Sequence, residues 1–192
     1  LLNTAHAGRR DILGYDSVSA LMTTSPASMS RVKEIINEYL KNGFDSIFLR
    51  HLSPYGFAVK TRSYQAYNAE RWLNFYREGM EYILELNKGG VRFIEQYSVI
   101  LLTKMLKSTD PGFVDLMNPS GAGIAAVVFN YDGDVYASDE SRMLYEMGDS
   151  TFRIGNVHKN SYKEIFTADG LLTALDDSFT LSAPMCTDCA FE

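Results

Sequence analysis

Cysteine is almost missing from this chain: its 192 residues hold two, Cys186 and Cys189. Two are too few for a disulfide framework, which favours a reducing, cytoplasmic setting. No apolar run approaches the roughly 20 residues of a membrane-spanning helix, so no membrane partner is expected. The net charge is −6 with no block of Lys and Arg, which argues against a nucleic-acid partner. Residues 1–6 do not make a signal peptide, and the chain does not begin with Met. Internal repeats and low-complexity stretches are missing too. What remains is ordinary for a folded soluble protein, with 46% hydrophobic and 22% charged residues. It can bury a sizeable core, as one large domain or two small ones.

Residues 1–16 read as the tail of a helix and a loop. Val18 to Thr23 reads as a buried strand. Ser25-Pro26 starts a helix, because Ser caps and Pro suits a first turn whose N–H groups have no partner. Met29, Val32, Ile35, Ile36, Tyr39 and Leu40 keep a 3.6-residue stripe, and Asn42-Gly43 ends it. A second strand follows over 46–50. Strand, helix and strand form one βαβ unit of a parallel sheet. Pro54-Tyr55-Gly56 opens a loop to about Tyr67. A long helix is expected over 68–87, with Trp72, Phe75, Tyr76, Met80, Ile83 and Leu86 as its core face and Gly89-Gly90 as its stop. A short strand at 91–94 and a helix over 99–107 follow. The texture changes near residues 109–112, giving expected domains 1–110 and 111–192. In the second, 124–130 and 135–137 form a hairpin around Asp132-Gly133. A short helix covers 161–166, and the rest is loop-rich.

Cys186-Thr-Asp-Cys189 puts two soft thiolates on one tight turn, which is half of a four-ligand metal site. An iron–sulfur site, a zinc half-site, a redox dithiol and an idle surface pair all remain open. Arg50 and His51 follow a strand. Arg50 suits bidentate binding of a carboxylate or a buried structural ion pair, and His51 suits packing. Thr23 and Thr24 end the first strand, and a strand-end hydroxyl is a weak signal. Asp132 and Asp134 read as turn residues. Asp139, Glu140 and Arg142 read as a solvated charge cluster rather than a contact for substrate. His6 and His158 have no partner at ligand spacing.

The order Gly121-Ala-Gly123, Asp132-Gly-Asp-Val-Tyr136, Ile154-Gly-Asn-Val157, Tyr162-Lys-Glu-Ile-Phe166 and Cys186-Thr-Asp-Cys189 resembles a SPASM domain. That is the auxiliary iron–sulfur module found C-terminal to many radical SAM enzymes. The first half is similar to the last third of a radical SAM partial barrel, with 18–24 as strand five and 47–56 as strand six and its exit loop. Arg50-His-Leu-Ser-Pro-Tyr-Gly-Phe57 and residues 131–140 resemble the maturases of His-Xaa-Ser peptide systems. The resemblance implies an α/β fold: the last βα units of a partial TIM barrel, then a small α+β SPASM-like module. For a longer parent enzyme it implies S-adenosyl-L-methionine (SAM), an auxiliary 4Fe–4S cluster and hydrogen abstraction from a peptide substrate. Thr23, Arg50 and His51 would line the SAM and substrate cavity, at the strand ends where such folds place chemistry. Cys186 and Cys189 would bind metal.

The departures are equally specific. There is no C-x-x-x-C-x-x-C, so the catalytic cluster's ligands are missing. Serine stands at two family cysteine positions, 120 and 138. These serines are either lost ligands or ordinary turn and cap residues, and a hydroxyl is a poor cluster ligand. The chain therefore reads as a fragment, inactive alone, whose open sheet edge invites self-association. Two alternatives are a non-catalytic peptide-binding module that has lost its cluster, and a small zinc protein. By itself the chain would hold zinc or no metal.

Overall fold

The computed structural model describes residues 2–13, 18–53, 55, 57–60, 68–107 and 109–188. It is a mixed α/β chain with two small sheets. The chain divides into two compact units, Leu1–Ser53 with Arg62–Val99, and Pro54–Thr61 with Ile100–Glu192.

Helix α1 covers Leu2–Leu13. The expected strand at Val18 to Thr23 is absent. Residues 18–24 carry no regular structure, yet their burial alternates and ends on fully buried Thr24, while Leu21 is 73% exposed. The reason is pairing: Thr24 N donates to Arg50 O at 3.3 Å, and one link of this kind is no ladder. The helix expected from Ser25 begins later, as α2 (Val32–Lys41). Ser25 and Ser28 explain the delay. The Ser28 hydroxyl accepts from Ser25 N at 2.8 Å and donates to Ser25 O at 2.9 Å, a local closure that competes with helix. Helix α2 ends where Gly43 takes φ 80°, a conformation open to glycine.

Strand β1 (Ser46–Ile47) pairs in parallel with β2 (Ile94–Glu95). Between them come α3 (Phe57–Lys60) and α4 (Ala69–Lys88). The expected loop over 54–67 otherwise lies outside the described residues, apart from Tyr55. The parallel pair is therefore built on α4 and not on the 18–50 segment. Helix α4 starts where Asn68 Oδ1 accepts from Arg71 N at 2.7 Å. It stops at Gly89-Gly90. Its mid-helix glycine permits close approach: a Cβ on Gly79 would lie 2.8 Å from both Leu49 and Val32. The core of this unit is Met29, Val32, Ile36, Ile47, Leu49, Phe75, Ile83 and Phe93.

Helix α5 (Gln96–Leu106) spans the border between units. The second unit continues with a 3-10 turn at Val114–Leu116 and an antiparallel sheet of β3 (Val128–Phe129), β4 (Asp134–Tyr136) and β5 (Arg153–Asn156). The β3–β4 turn is closed by Gly133 N donating to Asn130 O at 3.0 Å. Two helices correct the loop-rich expectation: α6 (Asp139–Glu146) and α8 (Asp169–Asp177). Between them, α7 (Tyr162–Phe166) carries a full Ser161/Glu164 capping box, which satisfies two orphan donors reciprocally. Val135, Ala137, Ile154, Ile165 and Leu171 form this unit's core.

Candidate functional site

In the first unit, polar groups gather where β1 and β2 end. The Glu95 carboxylate is buried at 3% exposure and holds four donors. Leu49 N (3.0 Å) and Tyr97 N (3.2 Å) donate to Oε1, and Ser98 N (2.6 Å) and the Tyr76 hydroxyl (2.6 Å) donate to Oε2. A buried carboxylate tolerates its loss of water only with this degree of satisfaction. Burial first, then the hydrogen bond to the Glu95 carboxylate, raises the Tyr76 phenol far above its usual range. Trp72 stacks on Tyr76 with centroids 5.1 Å apart and meets His51 edge-on at 6.1 Å. Its Nε1 is buried without a hydrogen-bond partner among the described residues.

The residues singled out from the sequence fall around this cluster. Arg50 is half-buried, and its carbonyl accepts from both the backbone and the hydroxyl of Thr24. Among the described residues its guanidinium makes no ion pair. His51 is exposed, with Nδ1 3.4 Å from Leu52 O. Thr23 is exposed, while Thr24 is the fully buried one of the two. The Thr24–Arg50 link thus brings 23–24 beside 50–51. A half-buried guanidinium with no ion pair among the described residues fits a ligand that carries a carboxylate. Nearby, Ser25, Ser28, Arg31, Glu34 and Glu38 line a shallow depression of about 440 Å³. There Glu34 already engages Arg31, with Nε–Oε2 at 2.8 Å.

The second unit presents a different picture. Cys186 is a free, half-buried thiol, and Cys189 lies outside the described residues. Among the described residues no group of three or more His, Cys, Asp or Glu could hold a metal ion. Ser120 Oγ accepts from Ala122 N at 3.3 Å. Ser138 caps α6, accepting from Ser141 N at 3.2 Å. Four thiolates are the usual ligand set of an iron–sulfur cluster, and the whole chain has two. Its own residues therefore do not fit such a cluster.

The hairpin aspartates divide their work. Asp132 is a turn residue, its Oδ1 accepting from Asp134 N at 3.0 Å. Asp134 corrects the turn reading: it lies within β4, buried, and Arg153 grips it bidentately at 2.7 and 2.6 Å. Asn156 Nδ2 adds a third donor at 2.7 Å. These bonds, with Arg153 first, hold the Asp134 carboxyl below its usual range. Burial pushes the neighbouring Tyr136 phenol up to about 12. Asp139 bonds Arg142 at 3.1 Å on the surface, as a solvated charge cluster does. His158 is exposed, and the side chain of His6 lies outside the description.

Sequence reasoning missed Glu95, Ser98, Arg153 and Asn156. A single acidic residue inside Val-Arg-Phe-Ile-Glu95 was the available signal for the first. Two of its four donors, Tyr76 and Leu49, stand 19 and 46 residues away, beyond what a local motif reveals.

No family model matches the chain, and no curated protein matches it. Solved structures do. A native anSMEcpe with bound AdoMet and Cp18Cys peptide matches with TM-score 0.58 and 16% identity, over 96% of this chain and 48% of the other. A His6-tagged anSMEcpe with bound AdoMet matches with TM-score 0.60 and 16% identity, over 96% and 45%. AdoMet is SAM, and anSMEcpe is a radical SAM/SPASM anaerobic sulfatase maturase. The chain thus shares its fold with part of these neighbours and spans about half their length.

Proposed function

We propose that this chain is part of a radical SAM enzyme that modifies a peptide, and that it contributes a wall of the SAM and substrate cavity. The observation that carries the reading is the shared fold over 96% of the chain, together with the ordered SPASM-like motifs. Residues 1–110 would be the end of the partial barrel and 111–192 the SPASM-like module. The subfamily we favour is the His-Xaa-Ser maturases, on residues 50–57 and 131–140. The setting we favour is cytoplasmic, since two cysteines make no disulfide framework.

In this reading Arg50 holds the carboxylate of SAM or of the peptide, with Thr23 and His51 flanking it at the strand end. Bound SAM, in enzymes of this class, is the source of the radical that takes hydrogen from substrate. The chain's own part is to bind and orient. Its cysteines would serve metal only with ligands from outside the chain. A second reading, a peptide-binding module that has given up its cluster, is favoured by the capping work of Ser120 and Ser138.

The test uses the single tryptophan, Trp72, which packs against His51. Titration of the chain with SAM should give a saturable change in its fluorescence, lost in Arg50→Ala. No response from the unaltered chain would remove the SAM wall from this strand end. Formation of 5′-deoxyadenosine by the chain alone, with reductant, would refute the assignment of a supporting role.

A further inference from the structure

The loop bearing Ser120 is tied across the second unit by protein groups alone. Asn118 Nδ2 donates to Thr180 Oγ1 at 2.7 Å, and Thr180 N donates back to Asn118 Oδ1 at 3.1 Å. Ser120 N donates to Ser178 Oγ at 2.9 Å, and that hydroxyl donates onward to Leu175 O at 2.9 Å. These links join positions 58 to 62 residues apart. Ser120 Oγ is itself occupied by Ala122 N, and Ser138 Oγ by Ser141 N and by the Ser141 hydroxyl at 3.1 Å.

Hydrocarbon fills the space beside the glycine turn. Gly123 has φ 73°, and a Cβ there would lie 2.1 Å from Leu171 Cδ1. Leu171 is 2% exposed and comes from α8. A thiol at 120 or 138 would be a weaker acceptor than the hydroxyl, and a thiolate committed to iron would leave its backbone partner unsatisfied.

We infer that the second unit is fastened by this latch of Asn118–Thr180, Ser120–Ser178 and the Ser138 cap, with Leu171 plugging the glycine turn, and that it folds without metal. The two thiols then take no part in holding the fold. The inference rests on the SPASM reading only for where a cluster would be sought. The latch itself is read from hydrogen bonds and packing.

Calorimetry on the full chain tests it, after chelator treatment and after anaerobic incubation with ferrous iron and sulfide, with iron counted in each sample. The expected melting temperature is the same in both, and the Cys186→Ala/Cys189→Ala double variant melts with the unaltered chain. Asn118→Ala and Ser138→Ala should each lower it by about 2–4 °C whether or not iron is added. Ser138→Asp keeps the cap and should restore the loss. A chelated chain that melts several degrees lower, a Ser138→Asp variant no better than Ser138→Ala, or iron lost on Ser120→Ala or Ser138→Ala would each overturn the inference. Failure of the SAM titration would remove the functional reading and leave this result standing.

Discussion

Arg153→Met should cost more stability than any other conservative change in the second sheet. Arg153 Nε and Nη2 supply two of the three donors to Asp134, and Oδ2 has no other donor among the described residues. The Asp134 side chain is 9% exposed and that of Arg153 34%. Removal of the guanidinium strands a buried carboxylate, which costs about 3–5 kcal/mol when both partners are fully buried. With one partner a third exposed, about 2–4 kcal/mol is expected, a melting temperature lower by roughly 5–15 °C. The pH dependence identifies the cause. In the unaltered chain the Asp134 carboxyl lies below the ordinary aspartate range. Its stabilisation is therefore complete above that range and is lost as pH falls through the folded value. Without Arg153 the largest downward pull on this carboxyl is gone and burial disfavours its charged form, so protonation costs the variant less than the parent and the gap between them narrows as pH falls from 7.5 to 4.5. Urea melts at those two pH values measure it. A gap under about 0.5 kcal/mol, or one that does not change with pH, would refute the reasoning.

Gly123→Ala should cost about 2–4 kcal/mol, since the new methyl meets Leu171 at positive φ. A second change, Leu171→Ala, should then cost less than it does alone, and a strictly additive pair by calorimetry would count against the contact. Tyr76→Phe should cost about 1–2 kcal/mol, because Glu95 Oε2 keeps Ser98 N after losing the phenol. Trp72 fluorescence in urea reads that loss, and an unchanged midpoint would show that the hydroxyl is idle. The β1–β2 sheet has two strands, each with an unpaired edge among the described residues, so the chain should self-associate through it. A monodisperse monomer by light scattering would sink that expectation.

Local chemistry was legible where short-range groups decide the outcome. Asn68 and Gly89-Gly90 bracket α4 within a residue of the range expected from them, and Asp132-Gly133 closes the hairpin. Val18 to Thr23 misled because alternation signals an extended segment without saying whether a neighbour supplies a ladder. Helices α6 and α8 were missed because eight or nine residues hold too few turns for a stripe to stand out. At the candidate site, the position of Arg50 after a strand could be read. Glu95 could not, since its importance comes from donors that tertiary structure delivers. Asp134 was mistaken for a turn residue because the same short motif holds two aspartates, and only the pleat of β4 separates their roles.

The parallel pair has two residues on each strand, 48 positions apart in register. Closing so long a loop carries an entropy cost that grows with its length, and two short strands offer little in return. The expected order is that α2 docks on α4 through the notch at Gly79 before β1 and β2 meet. Folding speed should then follow that helix–helix notch, with the strand pair a late clasp whose weakening is expected to quicken unfolding while leaving the rate of folding almost untouched.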